Sequence, residues 1–431
     1  MPASGTRVEP EQRVPKRILY FTTIDISVPN GPGVNEREFV LSLRQRYGRD
    51  FTAVLPYPEK PIAEASGENT HFFTGQKRTK HAWERRGPLS YVTTEWGSYR
   101  ALKELCAKQS FDLIVVRLRV LPLGFLMFAL TSKVPFALHH LDSSINDWET
   151  GARNVGAALE YVVSFFDRAV MKALVRRAVA TDTCTPELLE GVRSRLGAPT
   201  DRTTIRDNVV NTDRFYPRET TAARKELGLE RFRKIVGFVG GIPYEGGGRV
   251  MVALARRILA AHPGTGFAVI GGGALHDKLL QEIAENDLGE HFVVPGLRPY
   301  EEMPLYVNAF DVGLALHREA FSKTLGNSNQ KVRQYVACGI PVVASAAKGN
   351  SFLDELAIGS RVDSEDLEAL YAAIDRWLSL SDEERAALRA RASAYASAHL
   401  SPQGSLSELS TFWARCMAVA PMIGRVAPQA P

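Results

Sequence analysis

Lys331 opens the segment Lys331-Val-Arg-Gln-Tyr-Val-Ala-Cys-Gly-Ile-Pro-Val-Val-Ala-Ser345, which reads as a helix, a sharp turn and a strand. Val332, Tyr335 and Val336 share one helical face, Gly339 can take the left-handed conformation that ends a helix, and Pro341 forbids its continuation. Val342, Val343 and Ala344 then read as a strand buried on both faces, as in a parallel sheet. Lys331 therefore falls in the first turn of a helix whose N-terminus points into a cleft. A lysine is poorly placed beside the positive end of the dipole, and an anion bound there removes the conflict. A lysine that extends into solvent removes it as well, and both readings are open at this point.

Other residue types suited to chemistry lie after strand-like runs. Gly240-Gly-Ile-Pro-Tyr-Glu-Gly-Gly-Gly248 either cradles a phosphate or only permits a tight turn. Arg318 and Glu319 follow the run Val312–Leu316 and are either ligand-facing charges or a surface ion pair. His139 and His140 end the run from Val134, where alternation sends one to the core and one to the cleft. Asp142-Ser-Ser after them is a cleft loop or a helix cap. Cys106, Cys184, Cys338 and Cys416 are scattered without metal-ligand spacing, so a reduced, cytoplasmic protein is expected, with no metal site and no bound cofactor.

The elements that position these groups follow a repeated rhythm. Arg17–Thr23 is a strand, followed by a glycine loop at Pro29–Gly33 and a helix from about Asn35 to Arg46. Phe51–Leu55, Phe111–Val116 and Val134–His139 continue the alternation, and Lys234–Val239, Gly266–Ile270, His291–Val294, Val312–Leu316 and Pro341–Ala344 restart it. Two Rossmann-like, doubly wound α/β halves in tandem place ligands at the carboxyl ends of their strands, in a cleft between domains. We expect a disordered leader at 1–16, an N-terminal domain at 17–203, a C-terminal domain at 204–404 and a tail at 419–431, with a last helix at 405–418.

At 431 residues, 45% hydrophobic and 23% charged, the chain has material for two sizeable cores. A net charge of +5 suits phosphate-bearing ligands or an anionic membrane surface and is too small to point to nucleic acid. Val120–Leu130 is about half the length of a membrane-spanning helix and holds Pro122 and Gly124, so it is expected as a buried or interfacial helix. The basic run Gln76–Arg86 reads as a solvated loop facing the acceptor side or as a contact for a polyanion. Tyr161–Arg177 is a basic amphipathic helix that packs on its own domain or lies on anionic lipid.

In the second half, Phe238-Val-Gly-Gly-Ile, Val269-Ile-Gly-Gly-Gly, Val294-Pro-Gly-Leu-Arg-Pro-Tyr-Glu-Glu-Met, Asp311-Val-Gly-Leu and the Lys331 segment resemble, in order and spacing, the motifs of the group 1, or family four, GT-B glycosyltransferases. The linker Thr204–Pro217 resembles the family's linker, with Asn208 in register. The resemblance implies a GT-B fold whose two Rossmann-like domains face across a cleft, with the last helix crossing back onto the first domain. It also implies a metal-independent, retaining transfer from a nucleotide-diphosphate sugar to a glycan, lipid-linked or small-molecule acceptor.

Residue by residue, the resemblance implies donor binding by Gly240, Gly241, Arg249, Gly296, Arg298, Arg318, Lys331 and Gln334. Gly31, Gly33 and Asn35 match the acceptor-side loop, and His140 and Glu319 the positions facing the reacting sugar. Three departures matter. Gln334 stands where the family has Glu, Gly241 and Gly246 stand where it has the Arg and Lys that clamp the diphosphate, and Gln334 follows Glu319 by fifteen residues instead of the family's eight. Arg249, Arg318, Lys323 or Lys331 must then neutralise the diphosphate, and restoring Glu at 334 is expected to tighten nucleotide binding. The alternatives are a non-catalytic binding protein or a nucleotide-sugar epimerase on the same fold.

Overall fold

The computed structural model describes residues 14–28, 31–58, 67, 69–73, 88–119, 121–139, 157–241, 247–317 and 329–423. Residues 1–13 of the expected leader at 1–16, the basic run at 76–86 and residues 424–431 of the expected tail at 419–431 lie outside them, while residues 419–423 continue the last helix.

Two parallel sheets organise the chain. The first is built from β1 (Ile18–Thr22), β2 (Phe51–Pro56), β3 (Thr70–Phe73), β4 (Leu113–Arg117), β5 (Phe136–Leu138), β6 (Ala180–Thr183) and β7 (Thr203–Ile205), in the order β3-β2-β1-β4-β5-β6-β7. The second holds β8 (Lys234–Val239), β9 (Thr265–Ile270), β10 (Phe292–Gly296), β11 (Val312–Ala315), β12 (Val342–Ser345) and β13 (Gly359–Val362), in the order β10-β9-β8-β11-β12-β13. In both, the order reverses beside the first strand, which opens a crevice at the carboxyl ends on either side of β1 and β8. The expected boundary at residue 203 falls inside β7, which pairs with β6 through Thr203, Thr204 and Ile205. The first sheet therefore runs past that boundary.

On the first sheet, α1 (Gly31–Tyr47) covers one face, and α2 (Pro88–Lys108), α3 (Leu123–Thr131), α4 (Ala157–Arg177) and α5 (Pro186–Leu196) cover the other. The second sheet is wrapped by α6 (Thr220–Leu227), α7 (Gly247–Ala261), α8 (His276–Glu285), α9 (Met303–Asn308), α10 (Gln330–Ala337), α11 (Phe352–Glu355), α12 (Leu367–Leu378) and α13 (Asp382–Tyr395) around one continuous apolar core. The last helix, α14 (Pro402–Ile423), returns to the first sheet and buries Leu406, Leu409, Phe412 and Trp413 with Phe39, Val40 and Leu43 of α1. Arg46 of α1 donates to Ser410 Oγ at 2.9 Å, fixing that return.

Four strands escape the sequence pattern. β6 reads Ala-Thr-Asp-Thr, with three polar side chains, yet all four residues are buried: Asp182 is met by His139 and Arg206, and Thr183 Oγ1 donates to Thr185 O. β3, β7 and β13 are edge strands of three or four residues, too short for periodicity to register. The helix expected from Asn35 begins at Gly31, because Pro32 in the first turn sacrifices an N–H that would be unpaired there anyway.

Candidate functional site

Three glycines close the strands at the mouth of the second sheet. Gly240 after β8 has φ +131°, Gly271 after β9 has φ +152°, and Gly296 at the end of β10 has φ +75°. Gly240 N donates to Ile270 O at 2.9 Å, and Gly271 N donates to Gly296 O at 3.0 Å. A Cβ on Gly271 would lie 1.9 Å from the Gly240 carbonyl oxygen, so only glycine lets the two backbones approach this closely. The result is a floor of main-chain groups at the carboxyl ends of β8, β9 and β10.

Lys331 reaches onto that floor from the first turn of α10. Its Nζ lies 3.9 Å from the centroid of the Phe238 ring, and a Cβ on Gly240 would be 2.9 Å from it. Burial pushes the Lys331 amine down to about 7. His317 at the end of β11 is pushed down to about 4, by burial first and by the Lys331 charge second. No carboxylate among the described residues pairs with the Lys331 amine. Ser345 Oγ accepts from His317 N at 2.7 Å and donates to His317 O at 3.0 Å, stitching β12 to the segment that leads to Arg318. Tyr335 accepts from Val239 N at 2.9 Å, which locks α10 to the end of β8.

Across the cleft, α1 is held by a buried polar network that the sequence did not announce. Arg117 Nη1 donates to Glu36 Oε1 at 2.5 Å, and Tyr20 Oη donates to Glu36 Oε2 at 2.5 Å. Burial alone would raise the Glu36 carboxyl, but the Arg117 charge and the Tyr20 and Arg117 hydrogen bonds hold it below its ordinary value. His139, 1% exposed, stacks on Phe39 at 3.9 Å and donates through Nδ1 to Asp182 at 3.0 Å. Arg206 donates to its Nε2 at 3.2 Å, which fixes the neutral tautomer, and burial followed by the Arg206 charge keeps its pKa low. The available signals were a charged residue closing the strand Leu113–Arg117 and three polar residues in β6.

The second domain grips the linker, and α1 touches the second domain. Arg333 donates through Nε and Nη2 to both Asp207 carboxylate oxygens, at 2.8 and 3.0 Å, and Gln330 Nε2 donates to Val209 O at 2.7 Å. Arg37 of α1 pairs with Glu301 at 3.0 Å. Gln334 Nε2 donates to Tyr300 Oη at 3.0 Å.

Of the residues expected at the site, Gly240, Gly241, Gly296, Lys331 and Gln334 gather around the mouth of the second sheet, and Arg298 stands exposed on the turn after Gly296. Arg249 is elsewhere: α7 turns it toward α8, where its Nε donates to Glu282 at 3.0 Å. Gly31 and Gly33 are in the first turn of α1, where a loop was expected, and Asn35 follows in its second turn. Of the two histidines, His139 is the core residue. His140, Arg318, Glu319, Lys323 and Gly246 lie outside the described residues.

Residues 219–396 match the family of glycosyl transferases group 1. A 2-deoxystreptamine N-acetyl-D-glucosaminyltransferase from Streptomyces fradiae is 30% identical over 199 residues, covering 43% of this chain and 45% of the relative. A D-inositol 3-phosphate glycosyltransferase from Corynebacterium jeikeium is 32% identical over 189 residues, covering 40% and 41%. The chain thus spans less than half the length of these curated relatives. Among solved structures, a sucrose-phosphate synthase from Thermosynechococcus elongatus superposes with a TM-score of 0.70 at 18% identity, over 94% of this chain and 100% of that one. HepE from Anabaena in complex with UDP-glucose superposes with a TM-score of 0.65 at 16% identity, over 92% and 99%. The fold is GT-B, with two Rossmann-like domains.

Proposed function

We propose that this chain, whose residues 219–396 belong to the group 1 glycosyl transferases, transfers a sugar from a nucleotide-diphosphate sugar to an acceptor hydroxyl. The observation that carries the reading is the Lys331 amine lying against Gly240 at the mouth of the second sheet. A departing nucleoside diphosphate develops negative charge, and Lys331, the N-terminus of α10 and the glycine amides answer it there. Lys331 takes over the charge that the family supplies from the positions of Gly241 and Gly246.

In this reading the transfer is retaining and metal-independent. The leaving diphosphate accepts the proton of the acceptor hydroxyl on the same face, so no separate general base is required. His140 and Glu319 keep the sugar-facing roles that the resemblance implies, and Arg298 flanks the base. The acceptor is a glycan, a lipid-linked sugar or a small molecule. Relatives named for 2-deoxystreptamine and D-inositol 3-phosphate favour the small molecule.

The reading also places the protein in the cytoplasm, in peripheral contact with the membrane's inner face. Its four cysteines are free, and among the described residues no helix is long and apolar enough to cross a membrane. On the outward faces of α2, α3 and α4, Trp96, Leu130, Phe165 and Phe166 are more than half exposed, and Lys172, Arg176 and Arg177 continue the Phe165 stripe. Aromatic and basic groups on one helical face suit an anionic lipid interface.

Thermal shift against UDP, GDP and ADP tests the donor site before any acceptor is known. Stabilisation by one of them, with release of that nucleoside diphosphate from its sugar conjugate, is the expected result. If none binds at millimolar concentration and no nucleotide sugar is turned over, the non-catalytic reading replaces this one.

A further inference from the structure

Arg206 and Asp207 are consecutive, yet their side chains belong to different domains. Arg206 stays with the first: its N–H donates to Thr183 O at 2.8 Å, Nη2 donates to His139 Nε2 at 3.2 Å, and the guanidinium lies 4.5 Å over the Phe39 ring of α1. Asp207 is held by the second, because both of its carboxylate oxygens accept from Arg333, through Nε at 2.8 Å and Nη2 at 3.0 Å. Just beyond, Val209 O accepts from Gln330 Nε2 at 2.7 Å. Val210 N then donates at 2.9 Å to Leu400 O, in the π-helical turn Ala396–Leu400 through which the chain crosses back. The chain thus passes from one domain to the other at the 206–207 peptide, and α10 grips it there.

Arg333 is fully buried, a costly place for a charge unless its partners are well aligned. Besides Asp207, it donates through Nη2 to Gly349 O at 2.7 Å and through Nη1 to Asn350 Oδ1 at 2.9 Å, both in the turn after β12. Its place on α10 gives this arrangement a further consequence. Lys331 and Arg333 are two residues apart on one helix, so they stand about 200° apart around it. One side chain reaches the glycine floor and the other reaches the linker. Tyr335 pins the second half of α10 to the end of β8, which leaves Gln330 and Arg333 to set the first turn. A shift of the linker pulls on one side of that turn and displaces the amine on the other.

We propose that Arg333 and Asp207 are positioning residues: their two-pronged pair holds the first turn of α10 where Lys331 meets the diphosphate, and so ties occupancy of that site to the linker at 206–207. The pair acts through Lys331 and not on the donor itself. By linkage, a diphosphate at Lys331 and the geometry of the linker bias one another equally. The inference rests on the donor-site reading above and adds to it the part of the chain that controls the site.

The test is a double-mutant cycle in the full chain, read as affinity for whichever of UDP, GDP and ADP binds the wild type. Asp207→Asn keeps the shape and one acceptor oxygen but removes the charge that Arg333 is paired with. It should weaken binding about tenfold when Lys331 is present, and by no more than about twofold when Lys331 is already alanine. A merely structural loss lowers affinity by the same factor in both backgrounds. Arg333→Lys keeps a cation and loses the two-pronged contact, so it should show the same dependence on Lys331 and takes the place of Asp207→Asn if that variant does not fold.

An equal loss with and without Lys331, or wild-type affinity in both single variants, overturns the inference and leaves the donor site standing. If the wild type binds none of the three diphosphates, the donor-site reading falls and the inference falls with it.

Discussion

The Lys331 amine lies 3.9 Å from the centre of the Phe238 ring, an aromatic surface that favours a cation but offers it no counter-charge. Burial holds this amine near 7 against an ordinary 10.5, so at neutral pH the apo protein carries it only partly protonated.

A pH dependence follows. Between pH 7 and 10.5 the unfolded chain binds a proton at Lys331 that the folded chain does not, so this group's contribution makes stability rise with pH over that range. Ligand binding has the opposite sign. A diphosphate calls for the charged amine, so binding above pH 7 draws in a proton, and affinity falls by up to about tenfold per unit from pH 7 to 9. Calorimetry at pH 8 in buffers of different ionisation enthalpy reads the uptake directly; zero uptake would remove Lys331 from the phosphate contact.

Lys331→Ala should cost about 1.5–3 kcal/mol of nucleoside diphosphate binding, a tenfold to hundredfold loss, and leave binding of the parent nucleoside nearly unchanged. Titration with both ligands checks it. An equal loss for the two would indicate a damaged pocket and no specific phosphate contact.

Gly271→Ala should be far more disruptive than Gly240→Ala. The added methyl at 271 meets the Gly240 carbonyl, which is main chain, whereas at 240 it meets the end of the Lys331 side chain, which can move. Both substitutions force alanine into a backbone region it avoids, at about 1–3 kcal/mol. We therefore expect Gly240→Ala to fold with weakened diphosphate binding and Gly271→Ala to melt at a markedly lower temperature. Thermal melts rank the two.

Removing Arg117 leaves Glu36 as a buried, uncompensated charge, and Arg117→Met should destabilise the protein by about 3–5 kcal/mol. Adding Glu36→Leu should recover much of that loss, because the stranded carboxylate goes with it. Denaturant melts of the two variants measure the recovery, and a double variant as unstable as Arg117→Met would show that the cost lies in packing.

If the outward faces of α2, α3 and α4 rest on lipid, the protein should sediment with vesicles containing anionic lipid and stay in solution with neutral ones. Phe165→Ser with Phe166→Ser should abolish the sedimentation without lowering the melting temperature, because both rings are already in water. Retention by the double variant would place the contact elsewhere.

The second half of the fold was far more legible than the first. β8, β9, β11 and β12 are runs of mostly buried apolar residues, β10 is a half-buried edge strand, and each emerges within two residues of its expected position at either end. Lys331 was placed correctly in the first turn of its helix because Gly339, at φ +72°, and Pro341 fix where that helix ends. What local pattern cannot carry is the pairing of distant polar groups. Glu36 with Arg117, His139 with Asp182, and Gln334 with Tyr300 are brought together only by the sheets and by the meeting of the domains. The contact of Arg249 is hidden for the same reason: its neighbours along the chain do not reveal that it meets Glu282 of α8.

The return of α14 to α1 bears on how the chain is made. Arg46 and Ser410 are 364 residues apart, and Trp413, fully buried, belongs to the apolar cluster that covers one face of the first sheet. During synthesis that face is covered by α1 alone while the entire second domain emerges and folds. The N-terminal half thus waits, with Phe39, Val40 and Leu43 short of their final partners, for the last helix to leave the ribosome. Chaperone demand should therefore fall on the first half of the molecule, and a C-terminal truncation before residue 402 should aggregate through its N-terminal domain while the second domain remains sound.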